Sequence, residues 1–192
     1  MPLDRPYTIH FGPGVAPVRR TLGGLTRRVN QISMAIAADS LTDVDLTPVQ
    51  YGAMGCLNQQ DGEPGIDQVG LALRLGVDRN SASKLVDELE KKGLIERRVN
   101  DSDRRARLLH LTRKGERVFM RVREKNLAAQ ARPLETLKPE ERELLFELLT
   151  RIIAANGQHA RPGAGRRRRG RHQPVANNKR RPSPSTKVED EV

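Results

Sequence analysis

The sequence predicts a mainly α-helical fold that carries one small β-hairpin, and three observations lead to this class. Only 3% of the 192 residues are aromatic and Trp is absent, so the core has to rest on aliphatic side chains, which suit packed helices. Apolar residues recur at steps of three and four through most of residues 17–156. Two short segments, 94–99 and 106–111, have strand character and flank one polar turn.

The N-terminal part of the chain predicts an arm, residues 1–16, followed by one long helix within residues 17–46. Apolar side chains recur in that helix at alternating steps of four and three, which places them on one face. They are Val18, Leu22, Leu25, Val29, Ile32 and Ile36. A single stripe of this kind needs another element to cover it.

Residues 47–115 predict a compact lobe of three helices and the hairpin. Each helix follows a capping side chain, and two of them end before a glycine. The segments are Thr47 to about Gln60, Asp67 to Leu75 with Gly76 next, and Asp78 to about Lys92 with Gly93 next. The second and third helices, joined by residues 76–78, form a helix-turn-helix, and the hairpin after them forms a wing.

Residues 116–156 complete two further helices. One begins at Thr112 and Gly115 and runs to about Ala131, where Pro133 stops it, and Pro139 opens the last one. The last helix carries a broad apolar face made of Leu144, Leu145, Leu148, Leu149, Ile152 and Ile153. Since neither terminal set of helices buries itself alone, we expect them to pack together and to pair with a second copy as a homodimer.

Charge is concentrated at the C-terminus. The formal net charge is +11, and residues 157–192 hold ten of the 35 basic residues but only three of the 24 acidic ones. This segment is also rich in Pro, Gly, Asn and Ser, so it predicts a disordered basic tail. The excess positive charge indicates a polyanionic partner, either a nucleic acid such as double-stranded DNA or an anionic membrane surface.

Several other classes of function find no support in the sequence. The N-terminus lacks the pattern of a signal peptide, and no apolar run is long enough to cross a membrane, so no membrane partner is expected. One cysteine, Cys56, excludes an intrachain disulfide and fits a cytoplasmic protein. The four histidines lack metal-ligand spacing, and no catalytic set or phosphate loop stands out. We therefore expect no enzyme activity, no metal and no cofactor.

The helix that follows Asp78 carries the candidate DNA contacts. If Ala82, Leu85, Val86 and Leu89 face the core, short polar and basic side chains face outward and can enter a major groove. Those candidates are Arg79, Asn80, Ser81, Ser83 and Lys84. Asp87 would repel a phosphate, so the contacts end before it. At the tip of the wing, Arg104 and Arg105 suit a minor groove, and Asp103 can orient one of them through an ion pair.

These segments resemble the MarR family of transcription regulators over roughly residues 15–155. The resemblance is carried by LTPVQY (46–51), LALRLG (71–76), NSASKLV (80–86), LEKKGLIER (89–97), DSDRRA (101–106), LTRKG (111–115) and PEER (139–142). It implies a homodimer that reads an operator, usually as a repressor, and releases it when a small anionic or aromatic ligand binds between the dimer base and the lobe. Candidate ligand contacts are then Arg19, Arg20, Arg27, Met34, Tyr51 and Met54.

Two rival functions stay open on the sequence alone. The first is an architectural DNA-coating protein dominated by its basic tail, because charge neutralisation favours DNA binding without specifying a sequence. The second is an enzyme that uses the Cys56 thiol, although a buried structural thiol fits that apolar neighbourhood better. Each candidate contact also has a plainer explanation, as a solvated helix face, a turn-stabilising ion pair or ordinary packing.

Overall fold

The computed structural model describes residues 8–11, 13–58, 65–100 and 106–159 of the chain. The α-helices in this part are α1 (Leu22–Ser40), α2 (Pro48–Asn58), α3 (Gln68–Leu75), α4 (Arg79–Lys91), α5 (Arg113–Ala131) and α6 (Pro139–Ala155). The strands are β1 (Thr8–Ile9), β2 (Val18–Arg19), β3 (Ile66–Asp67), β4 (Ile95–Val99) and β5 (Arg107–Leu111). Short 3₁₀ helices cover Arg132–Leu134 and Gly157–His159. The predicted mainly α-helical class with a small hairpin is confirmed.

Local capping explains where the helices of the lobe begin. At α2, the Gln50 amide donates to Thr47 Oγ1 (3.2 Å), and the Thr47 amide donates to Gln50 Oε1 (3.0 Å). At α5, Thr112 Oγ1 accepts from the Gly115 amide (3.0 Å) and donates to the Gly93 carbonyl (2.7 Å). The second cap also ties the start of α5 to the turn after α4, because one hydroxyl serves both elements.

The prediction for Val18 is wrong. It lies in β2 and pairs with Ile9 of β1, and α1 begins only at Leu22, with the Thr21 side chain accepting from the Gly24 amide. The step of four from Val18 to Leu22 continues the helical spacing, but a capping threonine and a strand partner outweigh it. The N-terminal arm and the residues just before α1 therefore form a two-stranded antiparallel sheet that the sequence analysis did not predict.

The wing sheet has one strand more than predicted. β4 and β5 pair antiparallel from Ile95 with Leu111 to Val99 with Arg107, as expected of the hairpin. The short β3 adds to the other side of β5 and gives the order β3-β5-β4. β3 has two residues, too few to show an alternating pattern. The predicted end of α2 near Gln60, the wing turn at 101–105 and most of the predicted tail lie outside the described residues.

The apolar core lies between the α1–α2 connection, α2, α3, α4, the sheet and the first half of α5. Its most deeply buried side chains are Leu41, Met54, Leu71, Leu89, Ile95 and Leu109. By contrast, α6 has no buried residue, and large apolar side chains of α1 and α6 remain exposed. Within the described segments, no helix has the length and apolarity needed to span a membrane.

We expect Gly115→Ala to destabilise the fold strongly. A Cβ at this position would lie 2.0 Å from the Leu94 carbonyl oxygen, so α5 would have to move away from the start of β4. The free energy of unfolding should fall by about 1–3 kcal/mol, as overpacking usually costs. Urea denaturation followed by circular dichroism at one fixed protein concentration measures this. Gly23→Ala is the control, because its Cβ would meet no atom within 4 Å; equal midpoints for the two variants would contradict the close approach.

Candidate nucleic-acid interface and ligand cavity

Two aspartate caps and one glycine fix where α3 and α4 begin and where α3 ends. Asp67 Oδ1 accepts from the Gly70 amide (2.7 Å) at the start of α3, and Gly76 ends that helix in the left-handed conformation with φ 66°. Asp78 Oδ1 accepts from the Asn80 and Ser81 amides (both 3.1 Å) at the start of α4. The predicted helix-turn-helix is therefore present, and its second helix starts at a defined place and angle.

The outward face of α4 carries the predicted DNA contacts. Ala82, Leu85, Val86 and Leu89 are buried, as predicted for the inner face. On the other side, Arg79, Asn80, Ser81 and Lys84 are exposed and Ser83 is half-buried. The Ser81 hydroxyl donates to Asp78 Oδ2 (2.8 Å), so it serves the cap in this conformation. The remaining four present polar and basic groups along the first half of the helix.

Arg97 connects the wing to α4 and was not predicted. Its Nη2 lies 2.6 Å from Asp87 Oδ1, and its Nη1 contacts Glu90, so one guanidinium on β4 bridges two carboxylates on successive turns of α4. The pair of contacts fixes the position of β4 beside the outward face. It also offsets part of the negative charge of Asp87, which would otherwise oppose a nearby phosphate.

The ends of β4 and β5 flank, in the sequence, the turn that carries the predicted arginines. The Asn100 amide donates to the Ala106 carbonyl (3.2 Å) and closes the ladder just below the turn. Arg98 pairs with Glu96 on its own strand, and Arg107 is exposed opposite Val99. Asp103, Arg104 and Arg105 lie in residues 101–105, outside the described residues, so their role stays a prediction.

A cavity of about 480 Å³ lies between α1, α2 and α5. We call it the first cavity. The Tyr51 and Phe119 rings stack in its wall with centroids 4.8 Å apart and planes at 18°. Burial raises the pKa of the Tyr51 hydroxyl, and the charge of Arg123 opposes that rise. An apolar slot beside a cation suits a flat molecule with a negative group.

The candidate ligand contacts are only partly brought together. Met34 and Tyr51 line the first cavity, whereas Met54 is completely buried and does not line it. Arg19, Arg20 and Arg27 lie outside its lining. As ligand contacts, all six remain predictions.

Polar residues of α5 that the sequence analysis missed form another part of the wall. The buried Asn126 donates through Nδ2 to Ser40 Oγ (2.9 Å), and Gln130 Nε2 donates to Asn126 Oδ1 (2.5 Å). Ser40 Oγ donates in turn to the Ala37 carbonyl (2.7 Å). This chain of hydrogen bonds joins α1 to α5 at the edge of the cavity, where a ligand can compete for the amide of Gln130.

Cys56 also borders the first cavity and is half-buried. Burial raises the pKa of its thiol, with a smaller opposing effect from Arg74. The thiolate is the reactive form of cysteine, so this environment weakens Cys56 as a nucleophile. Among the described residues, no cluster of His, Cys, Asp and Glu is arranged to hold a metal.

Comparison with known proteins decides which family this architecture represents. Residues 44–106 match the sequence model of the MarR family. Over 117 residues the chain is 34% identical to a protein of Thauera aromatica described as a transcriptional regulatory protein for the hcr operon. The alignment covers 61% of this chain and 69% of that relative. This chain belongs to the MarR family.

Solved structures of the regulator CouR share the fold of this MarR-family chain. CouR of Rhodococcus jostii RHA1 bound to p-coumaroyl-CoA is 28% identical with a TM-score of 0.62, and the match covers 69% of this chain and 92% of CouR. The repressor CouR on a 23-mer DNA duplex is 30% identical with a TM-score of 0.60, over the same shares. Solved structures of this family therefore include a regulator bound to DNA and a regulator bound to a small-molecule ligand.

We expect Arg97→Gln to weaken DNA binding of this MarR-family protein. The change frees Asp87 and Glu90 beside the outward face of α4 and releases β4, and it should cost about 1 kcal/mol, or about fivefold in affinity. Fluorescence anisotropy with a specific duplex measures the loss. In an Asp87→Asn, Glu90→Gln background, the same substitution should cost clearly less. An equal loss in both backgrounds would mean that Arg97 acts on DNA directly.

Proposed function

We propose that this protein is a dimeric, sequence-specific DNA-binding repressor whose operator affinity falls when a small aromatic-acid derivative occupies the first cavity. The observation that carries the proposal is the exposed polar and basic face of α4, which begins at a doubly capped turn and is joined to the wing by Arg97. The proposal makes the protein a regulator and not an enzyme, and it places the protein in the cytoplasm with its DNA.

The dimension and chemistry of that face fit a major groove. A B-DNA major groove, about 12 Å wide, admits one helix, and side chains of the first helical turns reach its base edges. Asn80 can pair with adenine and Lys84 with guanine or a phosphate, while the α4 amides beyond the cap favour anions. Arg104 and Arg105 are proposed to reach the adjacent minor groove from the wing turn.

A second copy accounts for the exposed apolar faces of the terminal helices. On α1, Leu22, Val29 and Ile32 are 57%, 56% and 45% exposed. On α6, Leu144, Leu148, Ile152 and Ile153 are also exposed. Faces of this extent on two helices indicate an interface, and a two-fold dimer places two copies of α4 on successive turns of one DNA face.

The first cavity supports the class of effector. Stacked rings and aliphatic side chains accommodate an aromatic group, and Arg123 can pair with a carboxylate or phosphate. CouR binds p-coumaroyl-CoA, a molecule of this kind. The cavity contacts α1 and α5, which lead to the proposed dimer base, and α2 of the lobe. A ligand that prefers a different angle between them shifts the spacing of the two α4 helices.

The experiment uses a duplex recovered by selection from random DNA and fluorescence anisotropy of its complex. Titration with p-coumaroyl-CoA, p-coumarate and salicylate should release the DNA for at least one compound, and Arg123→Gln should raise the required concentration about tenfold. Release by none of the three would contradict the aromatic-acid class. DNA binding that stays specific in the same assay would leave the operator part of the proposal intact.

The concentration of positive charge in residues 157–192 favours the second candidate, an architectural DNA-binding protein. Under our proposal, removing residues 157–192 should weaken non-specific binding and lower its salt dependence, because fewer counterions are released, while discrimination between operator and random DNA is retained. Anisotropy over a series of salt concentrations compares the full chain with the truncated one. Loss of discrimination on truncation would favour the architectural function.

A further inference from the structure

A second cavity, of about 280 Å³, lies on the other side of α5 from the first cavity. Its floor is apolar and consists of Val44 and Leu46 from the α1–α2 connection, Leu94 from the turn before β4, and Val118 of α5. Val44 and Leu94 are buried, and the other two are half-buried. An apolar lining of this kind is typical of pockets that bind small ligands.

The two cavities share no lining residue. On α5, the second cavity is lined at positions 114, 118 and 121, whereas the first is lined at 119, 123, 126, 127 and 130. At about 100° per residue these two sets point in nearly opposite directions. The second cavity is thus a separate site and not an extension of the first.

Three cations surround the apolar floor. Lys92 Nζ lies 3.0 Å from the Asp45 carboxylate, Lys114 Nζ donates to the Lys92 carbonyl (2.7 Å), and Arg121 Nη2 donates to the Asp43 carbonyl (2.8 Å). Carbonyls orient the last two groups without neutralising their charge, and each keeps further N–H donors.

The nearby carboxylates do not balance this charge. Asp43 pairs with a further cation, Lys125 (2.8 Å), and the Asp45 side chain is 99% exposed, where solvent screens it. With Lys125 counted, four cations face two carboxylates. The rim of the second cavity is therefore net positive and its floor apolar.

We propose that the second cavity is a binding site for a small amphipathic anion, namely a monocarboxylate with a compact apolar body. The apolar body fills the space above Val44, Leu46, Leu94 and Val118, and the carboxylate accepts from Lys114 and Arg121. A neutral molecule of the same shape gains only the apolar part of this interaction.

The location gives the bound anion a route to the recognition helix. Lys92 is the C-cap residue of α4, and its ammonium group donates to the Asp45 carbonyl, which ties the end of α4 to the α1–α2 connection. An anion that draws Lys92 toward itself competes with Asp45 and changes how α4 is held against α1 and α5. This effect on DNA affinity depends on the proposed function, whereas binding of the anion does not.

Methyl NMR of the full-length protein, labelled at Leu and Val, tests the proposal with benzoate as the probe and isosteric benzamide as the neutral comparison. Benzoate should shift the methyl signals of Val44, Leu46, Leu94 and Val118 in a saturable way, and benzamide should bind at least about tenfold more weakly. The Leu127 methyls report on the first cavity in the same spectra.

Two double variants identify the charges responsible. Lys114→Gln with Arg121→Gln should weaken benzoate binding at least about tenfold. Arg113→Gln with Arg117→Gln makes the same charge change on α5, at exposed positions outside both cavities. This control should keep the benzoate affinity within about twofold of the unmodified protein.

Four outcomes of the benzoate experiments would overturn the site. These are no benzoate shifts at the four floor residues, shifts confined to Leu127, equal binding of benzamide, and equal losses in the two double variants. Floor signals that move with protein concentration in the absence of benzoate would show that a second copy covers the cavity, and would overturn it as well.

Discussion

Lys84→Glu is expected to abolish specific DNA binding, with a loss of about 100-fold or more in operator affinity. Lys84 is exposed in the middle of the outward face of α4, whose start is held by Asp78 and whose far side is buried. The substitution replaces a possible partner of guanine or phosphate with a carboxylate that faces the DNA backbone. One lost groove contact costs about 1–3 kcal/mol, and the new repulsion adds to it.

Lys91→Glu is the matched control for this prediction. Lys91 is also an exposed lysine of α4, so the net charge changes equally, but it lies at the opposite end of the helix from the capped N-terminus. Anisotropy at several salt concentrations should show a small, salt-dependent loss for Lys91→Glu and a large one for Lys84→Glu. Similar losses would mean that only the overall field matters and that α4 does not enter a groove.

Leu148→Glu together with Ile152→Glu is expected to convert the protein to monomers and to lower operator affinity by about 10²–10⁴-fold. Both side chains are exposed in the single chain, 44% and 41%, on the apolar face of α6. In a dimer, the second half-site is bound at a high effective concentration, and that advantage is lost when the copies separate. Burial of two unpaired carboxylates costs more free energy than the remaining contacts of the interface supply, so the dimer should dissociate.

Sedimentation equilibrium measures the assembly state, and anisotropy measures the affinity. The control is Thr150→Glu with Ala154→Glu, which places two carboxylates four residues apart on the polar side of the same helix. This pair should remain dimeric and bind operator normally. A dimeric Leu148→Glu, Ile152→Glu variant would show that α6 does not form the interface.

The sequence was most informative where structure depends on neighbouring residues. Thr47, Asp67 and Asp78 were recognised as caps because the hydrogen bond of a cap spans only two or three residues, and Gly76 ends α3 for an equally local reason. The inner face of α4 followed from spacing alone. These features sufficed to place the helix-turn-helix and the wing in order.

What the sequence analysis missed depends on contacts between distant residues. Val18 was assigned to α1 because its spacing is helical, yet its pairing with Ile9 decides its structure. Arg97 meets α4 only because the chain turns back at Gly93, and no periodicity relates a strand residue to a helix residue. The sequence analysis gave Arg123 no role, because only the packing of three helices makes it part of a cavity wall.

Selection of purified full-length protein against a random duplex library, read by sequencing, tests the central claim most directly. A dimer that reads DNA through two copies of α4 should enrich an inverted repeat whose half-sites are about one helical turn apart. The Lys84→Glu protein should enrich no such sequence. Recovery of the library without a common motif would contradict sequence-specific recognition.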